Sequence, residues 1–220
     1  MNILAIDTCC SAATAAVLTD DRLAAEIVQN NKKTHSQNIM PMIDFMMSQA
    51  EMSIGDIDCF AAAVGPGSFT GVRIGVATVK ALAHAFGKPC AAVSALHAMA
   101  YNVADFGGII CPIFDARRGQ VYNALFWSDG KNLKRLTPDR AISLEELKKD
   151  LETCEKSIFL VGDGANLCYN TLLEAVPRLV LPPAHLIMQR ASGVALAAEK
   201  MAERGLLQSP GELEPNYLRL

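Results

Sequence analysis

Apolar and polar positions along the first half of the chain follow two alternating rhythms. Three short β-type runs come first: Ile3 to Asp7, Ala12 to Leu18 and Leu23 to Val28. Turns at 8–11 and 19–22, the second containing Asp20-Asp21, separate them. The spacing then predicts a helix from about Asn38 to Ala50, with Pro41 placed in the first turn, where its missing N–H is tolerated. A strand over Phe60–Val64, a helix over Phe69–Phe86, a strand at Cys90–Val93 and a helix capped by Ser94 follow. A weaker copy of the opening starts at Ile109, where Ile110–Asp115, like Asn2–Asp7, is an apolar strand ending in Asp. Gln120–Trp127 and Leu133–Leu136 are expected to pair as a hairpin through Asp129-Gly130. A charged helix at Leu144–Leu151, a strand at Ile158–Val161 and helices near Asn166–Glu174 and Arg190–Arg204 complete the pattern.

The order βββαβαβα is that of one lobe of an actin-like ATPase, whose sheet is shared with ribonuclease H. The fold class expected is therefore α/β, an actin-like ATPase (ASKHA, ribonuclease H-like) fold of two lobes with the second truncated. The break is placed at Asp105-Phe106-Gly107-Gly108, giving an N-terminal lobe at 1–105 and a smaller C-terminal lobe at 106–220.

Composition narrows the function classes. Of 220 residues, 51% are apolar and 20% charged, enough to fill a core without disulfides or metals. The net charge of −3 argues against a free-standing nucleic-acid binder, which needs a basic surface. Lys131, Lys134 and Arg135 form the densest basic cluster and are read as a solvated hairpin. Seven cysteines are odd in number and contain no Cys-x-x-Cys, so they are read as reduced, buried thiols. No charged-then-apolar leader and no apolar run of the ~20 residues of a membrane span is seen, so a cytoplasmic protein without membrane attachment is expected.

The run Gly65-Pro66-Gly67-Ser68-Phe69-Thr70-Gly71-Val72-Arg73-Ile74-Gly75 joins the central strand to the long helix. Strand, glycine-rich turn and helix N-terminus are the parts of an anion site. The run nonetheless lacks the Gly-Lys-Ser/Thr ending of a P-loop, the glycine spacing of dinucleotide sites and a Gly-x-Ser-x-Gly around Ser68. Structural glycines and an anion loop both remain open on these residues alone.

Continued through Ala77, Lys80, Ala81, Leu82 and Ala83, this string closely resembles the TsaB (YeaZ) family of bacterial proteins of tRNA N6-threonylcarbamoyladenosine synthesis. Ile3–Thr8, His35-Ser36-Gln37 with Pro41–Asp44, Asp115–Arg118 with Val121-Tyr122, and the closing Pro215–Arg219 resemble further blocks of that family. Cys9-Cys10 departs from it, since relatives carry hydroxyl residues there. The resemblance implies a non-catalytic scaffold or activator subunit for threonylcarbamoylation of tRNA position 37, not an enzyme in itself. The implied partners are the catalytic, metal-dependent paralogue TsaD, the ATPase TsaE and a second copy of the chain, with tRNA engaged only indirectly. No cofactor is expected, and the interface of the complex is where ATP or ADP could sit. The paralogue's His-x-x-x-His metal pair falls by resemblance on Ala95 and Met99, with His97 between them, so no metal is expected.

In active actin-like proteins, acidic residues after the first strand of each lobe help to hold metal and phosphate. Asp7 and Asp115 occupy those places; with Gly65, Gly67 and Ser68 they are the candidates for weak nucleotide contact. An actin-like small-molecule kinase or ATPase using Asp7, Asp115 and the Gly65 loop is the alternative function. Against it, Gly162-Asp163-Gly164 puts a carboxylate in the turn that would face phosphate, and Ser68 and Thr70 have no sequence-adjacent base. His35, His84, His97 and His185 lack partners at ligand spacing and are read as surface or capping residues.

Both long helices carry more apolar side chains than one face holds. Two readings follow, a deep two-layer core or a helix–helix contact with another subunit, and the second is preferred because methionines and small residues suit it. Its members are Ile39, Met42, Ile43, Met46 and Met47 of the first helix and Val72, Arg73, Val76, Val79 and Lys80 of the second.

Overall fold

A computed structural model describes residues 1–31 and 34–218. The described residues form two compact units, one made of 1–98 and 189–217, the other of 99–188 with Leu218. Arg219, part of the closing family block, lies outside the described residues.

The first unit is built on a five-stranded sheet of β1 (Asn2–Asp7), β2 (Ala13–Thr19), β3 (Arg22–Gln29), β4 (Cys59–Ala63) and β5 (Cys90–Val93) in the order β3-β2-β1-β4-β5. The first three strands form an antiparallel meander, and β4 and β5 join in parallel through helical crossovers. Ile3, Leu4, Ala5 and Ile6 of central β1 have no exposed surface, as expected of a strand covered on both faces. Helix α1 (His35–Gln49) packs on β2 and β3, and α2 (Phe69–Phe86) on β1, β4 and β5, and the short α3 (Ala95–Ala100) follows β5. Ser68 caps α2 and Gly87 ends it in the left-handed conformation (φ 62°), which glycine adopts without strain.

The expected boundary at 105/106 moves, and the C-terminal segment changes sides. Helix α7 (Ala191–Glu203), assigned by sequence to the second lobe, returns to the first unit and lies across β1, β2, β4 and β5. It covers the strands under α1 and α2 without substantial contact with either helix, so it takes the opposite face. Its register is fixed by polar ties that hydropathy does not show. Glu26 of β3 accepts from Arg190 Nε at 2.9 Å and from the Ser192 amide at 2.9 Å, and buried Gln189 donates to the Ala12 carbonyl at 2.9 Å.

The second unit opens on β6 (Gly108–Asp115), which pairs in parallel with β11 (Ile158–Val161), itself beside β12 (Leu179–Val180). The hairpin expected between Gln120–Trp127 and Leu133–Leu136 resolves differently. The stretch breaks at Ala124-Leu125 into β7 (Gln120–Asn123), paired with β6 and β10 (Arg140–Ser143), and β8 (Phe126–Ser128), paired with β6 and β9 (Leu133–Arg135). Buried Asn123 holds the break by donating to the Pro112 and Ala124 carbonyls at 3.0 and 3.2 Å. Helices α4 (Leu144–Glu152) and α5 (Ala165–Leu172) close over a core of Ile113, Leu147, Leu151, Ile158, Leu160 and Cys168, and the short α6 (Ala184–Ile187) follows β12. Ser143 and Glu146 form a reciprocal capping box on α4. No helix among the described residues is long and apolar enough to cross a membrane.

Candidate functional site

The loop from Gly65 to the start of α2 folds against the turn that follows β1. The Ser68 amide donates to the Cys9 carbonyl at 2.7 Å, and Thr8 Oγ1 donates to the Gly71 carbonyl at 2.7 Å. A Cβ at Gly67 would stand 2.4 Å from the Cys9 oxygen, and one at Gly71 2.0 Å from the Thr8 oxygen. Both glycines therefore serve close backbone packing. The Gly65 carbonyl accepts from the Ala95 amide at 2.8 Å, and the preceding Val64 carbonyl from the Asn216 amide at 2.7 Å. Of the residues assigned to weak nucleotide contact, Gly65, Gly67 and Ser68 thus sit in a loop tied to its own chain on two sides. Cys9 Sγ reaches the Ala63 carbonyl at 3.4 Å, so the departure from hydroxyl residues is absorbed by packing.

Asp7 ends β1, is 1% exposed, and accepts from the Cys9 amide at 2.7 Å. Burial pushes its carboxyl up to about 6, against the opposing pull of the Cys9 hydrogen bonds and the nearby His35. His35 Nε2 lies 2.8 Å from the Cys10 carbonyl. Asp115, exposed at the end of β6, repeats the local geometry by accepting from the Arg117 amide at 2.7 Å. Its own amide donates to Asp163 Oδ1 at 3.0 Å, which gives the interrupting aspartate of Gly162-Asp163-Gly164 a structural bond.

Ala95 and Met99, the positions matched to a metal pair, are both buried, at 0% and 1% exposure. Among the described residues no group of three His, Cys, Asp or Glu side chains is arranged to hold a metal ion.

Most of the apolar residues assigned to a partner contact face inward. Ile39, Met42, Ile43, Met46 and Met47 of α1 and Val72, Val76 and Val79 of α2 are at most 6% exposed within the chain itself. The two-layer core that was the lesser alternative accounts for them. Their spacing explains why: 39, 42, 43, 46, 47 and 72, 76, 79 are each one helical stripe, and the sheet beneath is broad enough to take both.

What α1 and α2 turn outward is a different set. On α1 it includes Met40, Asp44 and Phe45, the last 60% exposed; on α2 it includes Phe69, Arg73, Ala77 and Ala81, with Phe69 54% exposed. Arg73 belonged to the expected contact; the two phenylalanines, Asp44 and the alanines did not. The signal was the complement of the buried stripe. The Arg73 guanidinium lies 3.7 Å above the Phe69 ring, and its Nε donates to Tyr217 Oη at 2.7 Å. Half-buried Lys80 donates to the Gly211 and Leu213 carbonyls at 3.1 and 3.3 Å. The segment through Tyr217 is thereby strapped along one side of α2.

The chain is similar to known proteins in both sequence and fold. The family described as "TsaD: tRNA N6-adenosine threonylcarbamoyltransferase" matches residues 22–217. The tRNA threonylcarbamoyladenosine biosynthesis protein TsaB of Bacillus subtilis (strain 168) is 38% identical over 176 residues, covering 80% of this chain and 76% of that protein. The protein of the same name in Escherichia coli (strain K12) is 30% identical over 222 residues, covering 100% and 95%. Among solved structures, YeaZ from Pseudomonas aeruginosa superposes with a TM-score of 0.80 at 23% identity, covering 99% of both chains. The fold is that of the actin-like ATPases, in two units, with the glycine loop packed against the first strand's turn. The chain belongs to the TsaB (YeaZ) family of tRNA threonylcarbamoyladenosine biosynthesis proteins.

Proposed function

We propose that the chain is a non-catalytic subunit of the tRNA threonylcarbamoyl-transfer machinery, which docks on its metal-bearing paralogue TsaD and holds it competent. The carrying observation is the outward surface of α1 and α2, where Phe45 and Phe69 are exposed, as are the small side chains of Ala77 and Ala81. Large aromatic anchors next to residues that allow close helix approach are what a helix–helix interface needs. The reading is supported by buried Ala95 and Met99 at the metal-pair positions and by a glycine loop already filled by its own chain. In this reading the complex sits in the cytoplasm, TsaE supplies the ATPase activity, any ATP or ADP lies at the interface of the complex, and tRNA is met chiefly by the partners.

The test is Ala77→Glu. Ala77 is exposed, so the variant folds with an unchanged melting temperature, while a carboxylate in the middle of the contact abolishes co-purification with TsaD. Loss of the modified adenosine in cells accompanies it. A folded Ala77→Glu that still binds TsaD and sustains modification overturns the docking face. Hydrolysis of ATP by the isolated chain at about 1 s⁻¹ or faster, lost on Asp7→Ala, would replace the scaffold with a kinase-like or ATPase enzyme.

A further inference from the structure

The family block Asp115–Arg118 has no part in the docking face, yet it holds an unusual backbone. Between β6 and β7, Arg117 (φ 62°), Arg118 (φ 54°) and Gly119 (φ 73°) are successive residues in the left-handed region. Glycine enters that region freely, whereas each arginine there crowds its Cβ against its own backbone. Glycine or asparagine would make the same turn with less strain, so folding alone gives no reason for arginine at both positions. The turn is closed by its own backbone. The Ala116 amide donates to the Gln120 carbonyl at 3.0 Å, the Gln120 amide to the Arg117 carbonyl at 3.1 Å, and the Arg117 amide to Asp115 Oδ1 at 2.7 Å.

Both arginines are also idle within the chain. Arg135, Arg140 and Arg190 pair with Asp139, Asp150 and Glu26, and Arg73 stacks on Phe69. Arg117 and Arg118 are exposed, and among the described residues neither guanidinium enters an ion pair, a hydrogen bond or a ring contact. The successive amides of Arg118 and Gly119 likewise donate to nothing among the described residues. A Cβ on Gly119 would meet no atom within 4 Å, so the tip of the turn is open. Consecutive free amides in a turn make an anion-binding concavity, and guanidinium forks beside them fit phosphate oxygens. Two carboxylates stand at the base of the turn, each accepting from a backbone amide: Asp115 from Arg117, and Asp163 from Asp115.

We propose that this turn is a phosphate site of the second unit and takes the RNA backbone, giving the chain a direct contact with tRNA. A free nucleotide needs a concave wall to bury its base, which an open turn does not offer. A polyanion needs no such wall, because each phosphate neutralised releases counterions. Membership of a tRNA-modification family supplies the polyanion. Contacts to phosphate position RNA without reading its sequence, so two arginines suffice on a chain of net charge −3 whose partners meet most of the tRNA. The site is independent of the docking face, since Arg117 and Arg118 lie outside α1 and α2.

Fluorescence anisotropy of an unmodified tRNA transcript, titrated with the whole chain at about 50 and about 200 mM salt, tests this. Wild type binds with a dissociation constant on the order of 10 μM at the lower salt. Arg117→Asn combined with Arg118→Asn weakens binding by about tenfold or more and lowers the salt slope by roughly 1.5 to 2. Asparagine tolerates the left-handed region, so the double variant melts no lower than wild type, which a structural role for the arginines would not give. Lys131→Gln combined with Lys134→Gln removes the same charge from the hairpin and keeps the affinity within about threefold. Wild type that leaves the tRNA free at about 100 μM protein and the lower salt overturns the proposal. So does an arginine variant that binds like wild type or melts lower. A lysine variant that loses as much assigns the binding to net charge and also overturns it. ATP titrated in place of tRNA separates the two sources of phosphate: sub-millimolar binding lost in the arginine variant gives the turn to a free nucleotide instead. Ala77→Glu keeps the tRNA affinity of the isolated chain, so the docking face and the RNA contact fail separately.

Discussion

A Cβ on Gly71 would stand 2.0 Å from the carbonyl oxygen of Thr8, a backbone atom of the turn after β1. The clash has no flexible side chain to relieve it. Gly71→Ala is therefore expected to destabilise the protein by on the order of 3 kcal/mol. Gly55→Ala, where the nearest atom is a Ser53 hydroxyl at 3.6 Å, should change stability by no more than about 0.5 kcal/mol. Urea unfolding of the two variants side by side checks this, and equal midpoints would show that the loop does not press on the turn.

Met46 and Val76 are 1% and 4% exposed, under α1 and α2 respectively. Met46→Glu or Val76→Glu must bury a charge without a partner, which costs several kcal/mol of the ~5–15 available to a domain. Both variants should be recovered unfolded or aggregated, with the helical circular dichroism lost. Folded monomers would mean that these side chains reach a partner after all.

Much of the first unit is legible in the chain. The helix over 69–86 and the strand over 90–93 have the expected bounds, because cap, glycine stop and apolar run all agree there. The likeness of Asp7 to Asp115, seen as two strands ending in Asp, extends to the same 2.7 Å bond to the amide two residues on. What hydropathy misses is set by contacts distant in sequence. Residues 191–203 have a helical pattern whichever unit they join, and packing on the first sheet with the ties from Glu26 and Gln189 decides it. The face of a helix that meets solvent is likewise invisible when both faces are apolar. Met46 and Phe45 are neighbours in sequence, yet one is 1% and the other 60% exposed.

Purified protein should carry no stoichiometric zinc or iron. Among the described residues no three His, Cys, Asp or Glu side chains converge, and the thiols of Cys59, Cys111 and Cys168 are pushed well up by burial, away from the thiolate a metal needs. Elemental analysis finding about one equivalent per chain would restore a metal site and weaken the scaffold function with it.

Glu199 of α7 is 8% exposed, and its Oε2 has no hydrogen-bond donor. Burial raises its carboxyl above the ordinary range, and Asp21 beside it raises it further. A raised carboxyl holds its proton more tightly in the folded state than in the unfolded chain, so its ionisation as pH rises lowers stability. Glu199→Gln should therefore raise the melting temperature at pH 8 and change it much less at pH 4. A loss of melting temperature at both pH values would show that the buried carboxyl does not destabilise the fold.

Asp7 gives the sharper pH dependence because it is 1% exposed and no ion pair involving it occurs among the described residues. Its folded value of about 6 lies above the ordinary 3.8. Between these two values the unfolded chain gives up the proton before the folded one does, so stability falls with rising pH across that window and levels off above it. A gap of this size corresponds to roughly 3 kcal/mol at neutral pH. Asp7→Asn removes the titration while keeping an oxygen to accept from the Cys9 amide, now 2.7 Å away. The variant should be more stable than wild type at pH 7.5 and close to it at pH 4, whereas Asp7→Ala, which orphans that buried amide, should gain nothing. Denaturant unfolding of the three proteins at several pH values decides the matter: parallel wild-type and Asp7→Asn curves from pH 4 to 7 would place the Asp7 carboxyl outside this window.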